Sequence, residues 1–161
     1  MGRAWVFGDN VSTDYIIPGR FNITSDANEL RKHSFKYVRP EFAEKVKTGD
    51  IVIGGKNFGC GSSREHAAIV MKACGVYLVA ESYGWIFRRN CINTGVLPLE
   101  SAEDLGVADG DEVNVDLKNH LLKDITKKKT YRVKPLPSFV LSISNAGGLI
   151  EYLNAHGKYT K

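Results

Sequence analysis

Ile51-Val52-Ile53-Gly54-Gly55-Lys56-Asn57-Phe58-Gly59-Cys60-Gly61-Ser62-Ser63-Arg64-Glu65-His66 passes from a short apolar run, through a glycine loop, into a helical pattern. The run Ile51–Ile53 is short and β-branched, which predicts a buried strand ending at Gly54-Gly55. Beyond the loop, Ala67, Val70, Met71 and Cys74 recur at i, i+3, i+4 and i+7, an apolar stripe that packs a helix on a sheet and makes Cys74 a core residue. Val76-Tyr77-Leu78-Val79-Ala80 is the next strand, so residues 51–80 read as a β-loop-α-β unit with parallel strands. Ser62 and Glu65 are spaced as a capping box, which predicts that the helix starts at the serine.

On the N-terminal side, Arg3–Phe7 is a β-rich run and Gly8-Asp9-Asn10 a turn. Pro18 and Gly19 interrupt regular structure, leaving Arg20–Thr24 as an exposed loop of the kind that carries function. Ser25 or Asp26 caps a helix through about His33, and Pro40 opens another short one. Toward the C-terminus, Ser82 is expected to cap a helix through Asn93 that Gly95 closes, with Ile86 and Phe87 inward. Val96–Leu99 is an edge strand because of Pro98. Val113–Leu117 alternates as an antiparallel strand, expected to pair with Tyr131–Val133 across the lysine turn Lys127–Lys129. Val140–Ile143 is open between strand and helix, and Asn145–Gly148 opens a terminal helix from Leu149 to about Ala155.

The 161 residues, 43% of them hydrophobic, suit a single domain over residues 1–161. With no apolar run long enough to span a bilayer and no signal-peptide pattern at Met1–Trp5, the expectation is a cytoplasmic protein without membrane contact. Cys60, Cys74 and Cys91 form no C-x-x-C pair, and their odd number argues against a disulfide framework or a metal site held by this chain alone. The net charge of +4 comes from scattered Lys and Arg without interleaved aromatics, which argues against nucleic-acid binding.

Two common motifs fail at the loop. A P-loop would need Lys-Ser/Thr where Cys60-Gly61 stands, and a nucleophile elbow would need glycine where Arg64 stands. What the residues do offer is an anion site: glycines that admit close approach, a helix N-terminus, and the permanent bidentate donor Arg64. A plain helix cap at Ser62 is the competing reading. His66 is open between packing and catalysis, and Asp14 reads as an Asx-turn former.

Ser12–Arg20, Gly54–Ala67, Asn90–Pro98 and Ala146–Leu149 together resemble the 3-isopropylmalate dehydratase small-subunit family, the swivelling-domain members of the aconitase superfamily, over nearly the whole chain. The resemblance implies an α/β fold, a β/β/α swivelling domain, closing over a [4Fe-4S] cluster carried by a separate large subunit. This chain would hold no cofactor or metal of its own. It implies a hydro-lyase of leucine biosynthesis, acting on a small hydroxy-dicarboxylate. Ser62 would be the base that removes a carbon-bound proton, Arg64 the carboxylate clamp, and Ser63 and Gly61 further substrate contacts. The partner's iron would help the hydroxyl leave. A stand-alone module binding a small anion or RNA is the alternative of a different class.

Within the resemblance two stretches depart from the family pattern. Relatives carry Tyr-Leu-Arg-Thr, Tyr-Leu-Asn-Thr or Tyr-Leu-Val-Tyr-Thr after Pro-Gly-Arg, where this chain has Phe21-Asn22-Ile23-Thr24 after Arg20. Arg20 to Thr24 are therefore expected to line the substrate, with Ile23 selecting an apolar branch over the third carboxylate of homoaconitate. Relatives place Ala-Arg where Gly84-Trp85 stands, so Arg88 or Arg89 would replace the missing arginine, or Trp85 would fill a subunit contact. These departures keep 2,3-dimethylmalate and 2-methylmalate dehydratases as alternatives.

Overall fold

The computed structural model describes residues 1–157. Its spine is a parallel group of strands, β1 (Gly2–Val6), β2 (Ile51–Gly54), β3 (Tyr77–Ala80) and β4 (Pro98–Glu100). An antiparallel group, β5 (Glu112–Asp116), β6 (Leu121–Asp124) and β7 (Lys129–Arg132), continues from β1, giving the order β4-β3-β2-β1-β5-β6-β7. A bridge between Ser101 and Val133 joins the far ends, so the sheet curls into a half-barrel. This is the expected α/β architecture, with the proline-bearing β4 at the end of the strand order.

Both faces of the parallel strands are buried, which is why β2 reads as an unbroken apolar run instead of alternating. One face carries Trp5, Val52, Leu78 and Ala80 against α4 (His66–Cys74), α5 (Trp85–Thr94) and the aromatic group Phe35, Phe42 and Phe58. The other carries Ala4, Ile51, Ile53 and Val79 against Val113, Leu122 and Tyr131 of the antiparallel strands. Ala67, Val70, Met71 and Cys74 are all buried, as their spacing requires.

Three expectations are corrected and one open reading, at Val140–Ile143, is settled. Tyr131 lies on β7, which pairs with β6 and not with Val113–Leu117, because Leu121–Asp124 is itself a strand. Its two buried residues, Leu122 and Asp124, flank a lysine, too short an alternation to register in the sequence. Val140–Ile143 is helical, within α6 (Ser138–Ala146), before α7 (Leu149–His156). Pro40 precedes α3 (Phe42–Lys45) instead of occupying its first position. Ser82 does not cap α5: its hydroxyl accepts the Asn57 N–H at 2.9 Å, and α5 starts after Gly84. Asp26 does cap the expected helix, α2 (Ala27–Arg31), accepting from Asn28 and Glu29.

The functional loop sits where the chain leaves the end of β2 and enters α4. The same end of the sheet receives α1 (Thr13–Ile16), the turn Gly19–Phe21 and the start of α5. Among the described residues, no helix is long and apolar enough to cross a membrane.

Candidate active site

Ser62 is held from below. Its N–H donates to the Thr13 hydroxyl at 3.0 Å, and the Thr13 N–H donates in turn to the Cys60 carbonyl at 2.8 Å. Thr13 is buried at the start of α1, whose cap is the Ser12 hydroxyl accepting from Tyr15. The first short helix and the glycine loop are thereby one unit, although they are far apart in sequence.

The Ser62 hydroxyl faces Arg64. Its oxygen accepts from the Arg64 side-chain Nε at 2.9 Å and from the Arg64 backbone N–H at 3.3 Å. These bonds use the hydroxyl that a capping box would need, so the capping expectation fails: α4 begins at His66, with Glu65 before it making no side-chain cap bond. Arg64 is fixed at its far end by Asp14, whose carboxylate accepts from Nη2 at 3.1 Å. Asp14 is thus an ion-pair partner and not an Asx-turn former. The guanidinium runs against Gly19, where a Cβ would stand 3.1 Å from Nη1.

A serine oxygen meeting two N–H donors of one arginine, beside the positive end of α4, is built to carry negative charge. The Asp14 pair is exposed, so it stabilises little by itself and acts on geometry. Asp14→Asn is expected to leave the melting temperature unchanged and to lower kcat of the assembled enzyme about fivefold, the effect of ~1 kcal/mol. Unchanged kcat would show that Arg64 keeps its aim without Asp14.

The two loop glycines do different work. Gly59 has φ +77° and its missing Cβ would lie 2.1 Å from the Phe87 ring, so it makes room for the α5 core and not for a ligand. Gly61 has φ +102° and is exposed, the close-approach position expected at the site. Gly59→Ala is expected to destabilise the fold by about 3 kcal/mol from overpacking and backbone strain together. A urea midpoint equal to the parent's would contradict this.

The remaining expected residues divide. Ser63 is exposed at the loop surface, with its carbonyl accepting from Asn90 Nδ2 at 3.1 Å. Asn22 joins Thr13, Asp14, Ile17, Arg64, His66 and Ala67 around a shallow crevice, with its Oδ1 buried. Phe21 is half-buried, and the Arg20 guanidinium lies 5.0 Å from its ring and 4.7 Å from that of Tyr37. Thr24 accepts the Asp26 N–H at 3.0 Å, and Ile23 is 90% exposed. The structure therefore brings Asn22 to the Ser62–Arg64 group, while Arg20 is turned onto aromatic rings.

Thr13 and Asn90 were not singled out as site residues from the sequence. Asn90 is a buried polar residue between Phe87 and Cys91 on the inward face of α5, and its signals are that position and its place at the head of the Asn90–Pro98 stretch that carries the resemblance. Arg89 donates to Asn90 Oδ1 at 3.4 Å, whereas Arg88 is paired with Glu100 across 3.3 Å. Of the two arginines, Arg89 is the one linked, through Asn90, to the reactive loop. Trp85 is 80% exposed beside an open groove of about 300 Å³ lined by Asn57, Gly59, Cys60 and Gly61.

This geometry, with a half-barrel presenting a glycine loop at the head of α4, is that of the aconitase swivel domain, and residues 43–104 match the family model of the aconitase C-terminal domain. The chain belongs to the 3-isopropylmalate dehydratase small-subunit family within that class. It is 51% identical over 160 residues to the 3-isopropylmalate dehydratase small subunit of Caldicellulosiruptor bescii, covering 98% of this chain and 96% of that one. The methanogen homoaconitase small subunit of Methanothermobacter thermautotrophicus is 48% identical over 152 residues, covering 94% and 88%. The crystal structure of 3-isopropylmalate dehydratase from Methanocaldococcus jannaschii superposes with a TM-score of 0.91 at 42% identity, covering 96% of this chain and 93% of that one.

Proposed function

We propose that this chain, as a hydro-lyase small subunit, forms half of an active site that isomerises 3-isopropylmalate and its 2-isomer, and that it functions as a single cytoplasmic domain with no nucleic-acid or membrane partner. The observation that carries the chemistry is the Ser62 oxygen held by two N–H donors of Arg64. Ser62 takes a proton from the carbon next to a substrate carboxylate, and the electron pair forms the double bond as the hydroxyl on the neighbouring carbon departs. Water then adds back across the bond in the opposite sense. Arg64 both stabilises the serine oxygen before the proton arrives and meets the carboxylate toward which charge shifts.

The residues of this chain do not fit an iron–sulfur cluster. Cys74 and Cys91 are buried in the apolar core, where desolvation pushes both thiols above their ordinary pKa, and no group of three or more His, Cys, Asp or Glu converges among the described residues. The [4Fe-4S] cluster is assigned to a large subunit, and departure of the hydroxyl depends on that partner. A large-subunit partner follows from the names of the relatives as small subunits.

Ile23 supports a branched apolar substituent on the substrate. An exposed isoleucine gives about 25 cal/mol per Å² on burial and nothing to a third carboxylate. The complex with the large subunit, reconstituted anaerobically, is expected to prefer 3-isopropylmalate over homoaconitate, 2,3-dimethylmalate and 2-methylmalate in kcat/KM. Preference for homoaconitate would overturn the reading from Ile23 and favour the function named for the methanogen relative.

A further inference from the structure

We infer that His33 is a specificity-positioning residue, which sets the posture of the Arg20–Thr24 loop by stacking on Phe21. This rests on the functional reading above, in which that loop meets the substituent of the substrate. The two rings lie 3.9 Å apart at their centroids and 7° from parallel, the closest ring pair among the described residues. His33 follows α2, so the stack joins the two ends of a thirteen-residue excursion, from Phe21 to His33.

The loop between these rings is pinned at two further points. Phe21 and Asn22 donate their N–H groups to Pro18 and Gly19, and Thr24 holds the Asp26 N–H. Ile23 is the residue left between the pins, and it stands 90% exposed. An isoleucine displayed at the tip of an anchored loop, one residue from the crevice that Asn22 shares with Arg64, is placed by its anchors and not by its own contacts.

The stack suits a neutral imidazole. Burial, with Lys36, Lys32 and Arg20 nearby, holds the His33 pKa below its ordinary value, and Glu29, with Oε1 3.8 Å from Nε2, opposes them only in part. Lys36 Nζ and the Arg20 guanidinium each lie 5.0 Å from the Phe21 ring, so two cations already use that ring. A flat uncharged partner for Phe21 is what the site requires, and phenylalanine would meet the same requirement.

His33→Ala in the reconstituted complex is expected to raise KM for 3-isopropylmalate at least fivefold while kcat stays within twofold, and His33→Phe to restore KM. Unchanged KM in His33→Ala, or failure of His33→Phe to restore it, would overturn the inference. Should His33→Ala not fold, His33→Gln, which lacks the ring, is read in the same way. Turnover by the unmutated complex is measured first. If it uses a different diacid, the functional reading fails by itself, and the His33 comparison is made on the diacid it does use.

Discussion

Ser62→Ala, assembled with the large subunit, is expected to fold and bind its partner normally and to lose about 10³-fold in kcat, the range of a positioned general base. The structural ties of residue 62 run through its backbone N–H to Thr13, and alanine keeps that bond. Among the described residues the hydroxyl itself is tied only to Arg64, two residues on, so its loss removes chemistry without opening a core. Unfolding midpoints and sedimentation of the complex check the intact fold. Near-normal turnover would remove Ser62 from its role as base.

Arg64→Lys is expected to lower kcat/KM about 10²-fold, with both KM and kcat affected, because one guanidinium serves two ends. Nε reaches Ser62 while Nη2 reaches Asp14, an arrangement that needs a rigid planar fork. A lysine ammonium at the end of a flexible stem keeps the charge but cannot hold both partners at once. Charge-assisted hydrogen bonds contribute about 1.5–3 kcal/mol each, which is the size of loss expected. An effect on KM alone would mean that Arg64 grips the substrate without acting on Ser62.

The fold was legible where sequence period and burial agree. The apolar run of β2, the stripe on α4 and the strand Tyr77–Ala80 each carry a pattern that has one structural solution, two buried faces with a helix on one side. The strand β6 was not legible, since four residues with a lysine and an aspartate give no clear alternation. The candidate site was legible as a motif and not as a network. Ser62, Ser63 and Arg64 stand together in sequence, but Thr13, Asn90 and Asp14 reach them, in that order, across separations of 27 to 50 residues that no local spacing encodes. The capping signal was overruled by a contact inside the loop itself: a serine that spends its hydroxyl on Arg64, two residues on, does not also cap α4.

The loop at Phe21–Thr24 illustrates the other limit. Its sequence pointed to Ile23 as the selecting residue, and the structure leaves Ile23 exposed, but the anchors that place it are His33 and Asp26. Stacking between residues of two different elements leaves no trace in periodicity.

The central claim is that this chain carries one half of an active site. Its most direct test is anaerobic turnover of 3-isopropylmalate by this chain alone, by a cluster-loaded large subunit alone, and by the two together. Turnover only in the combined sample is the expected result. Turnover by the isolated chain at a comparable rate would contradict it.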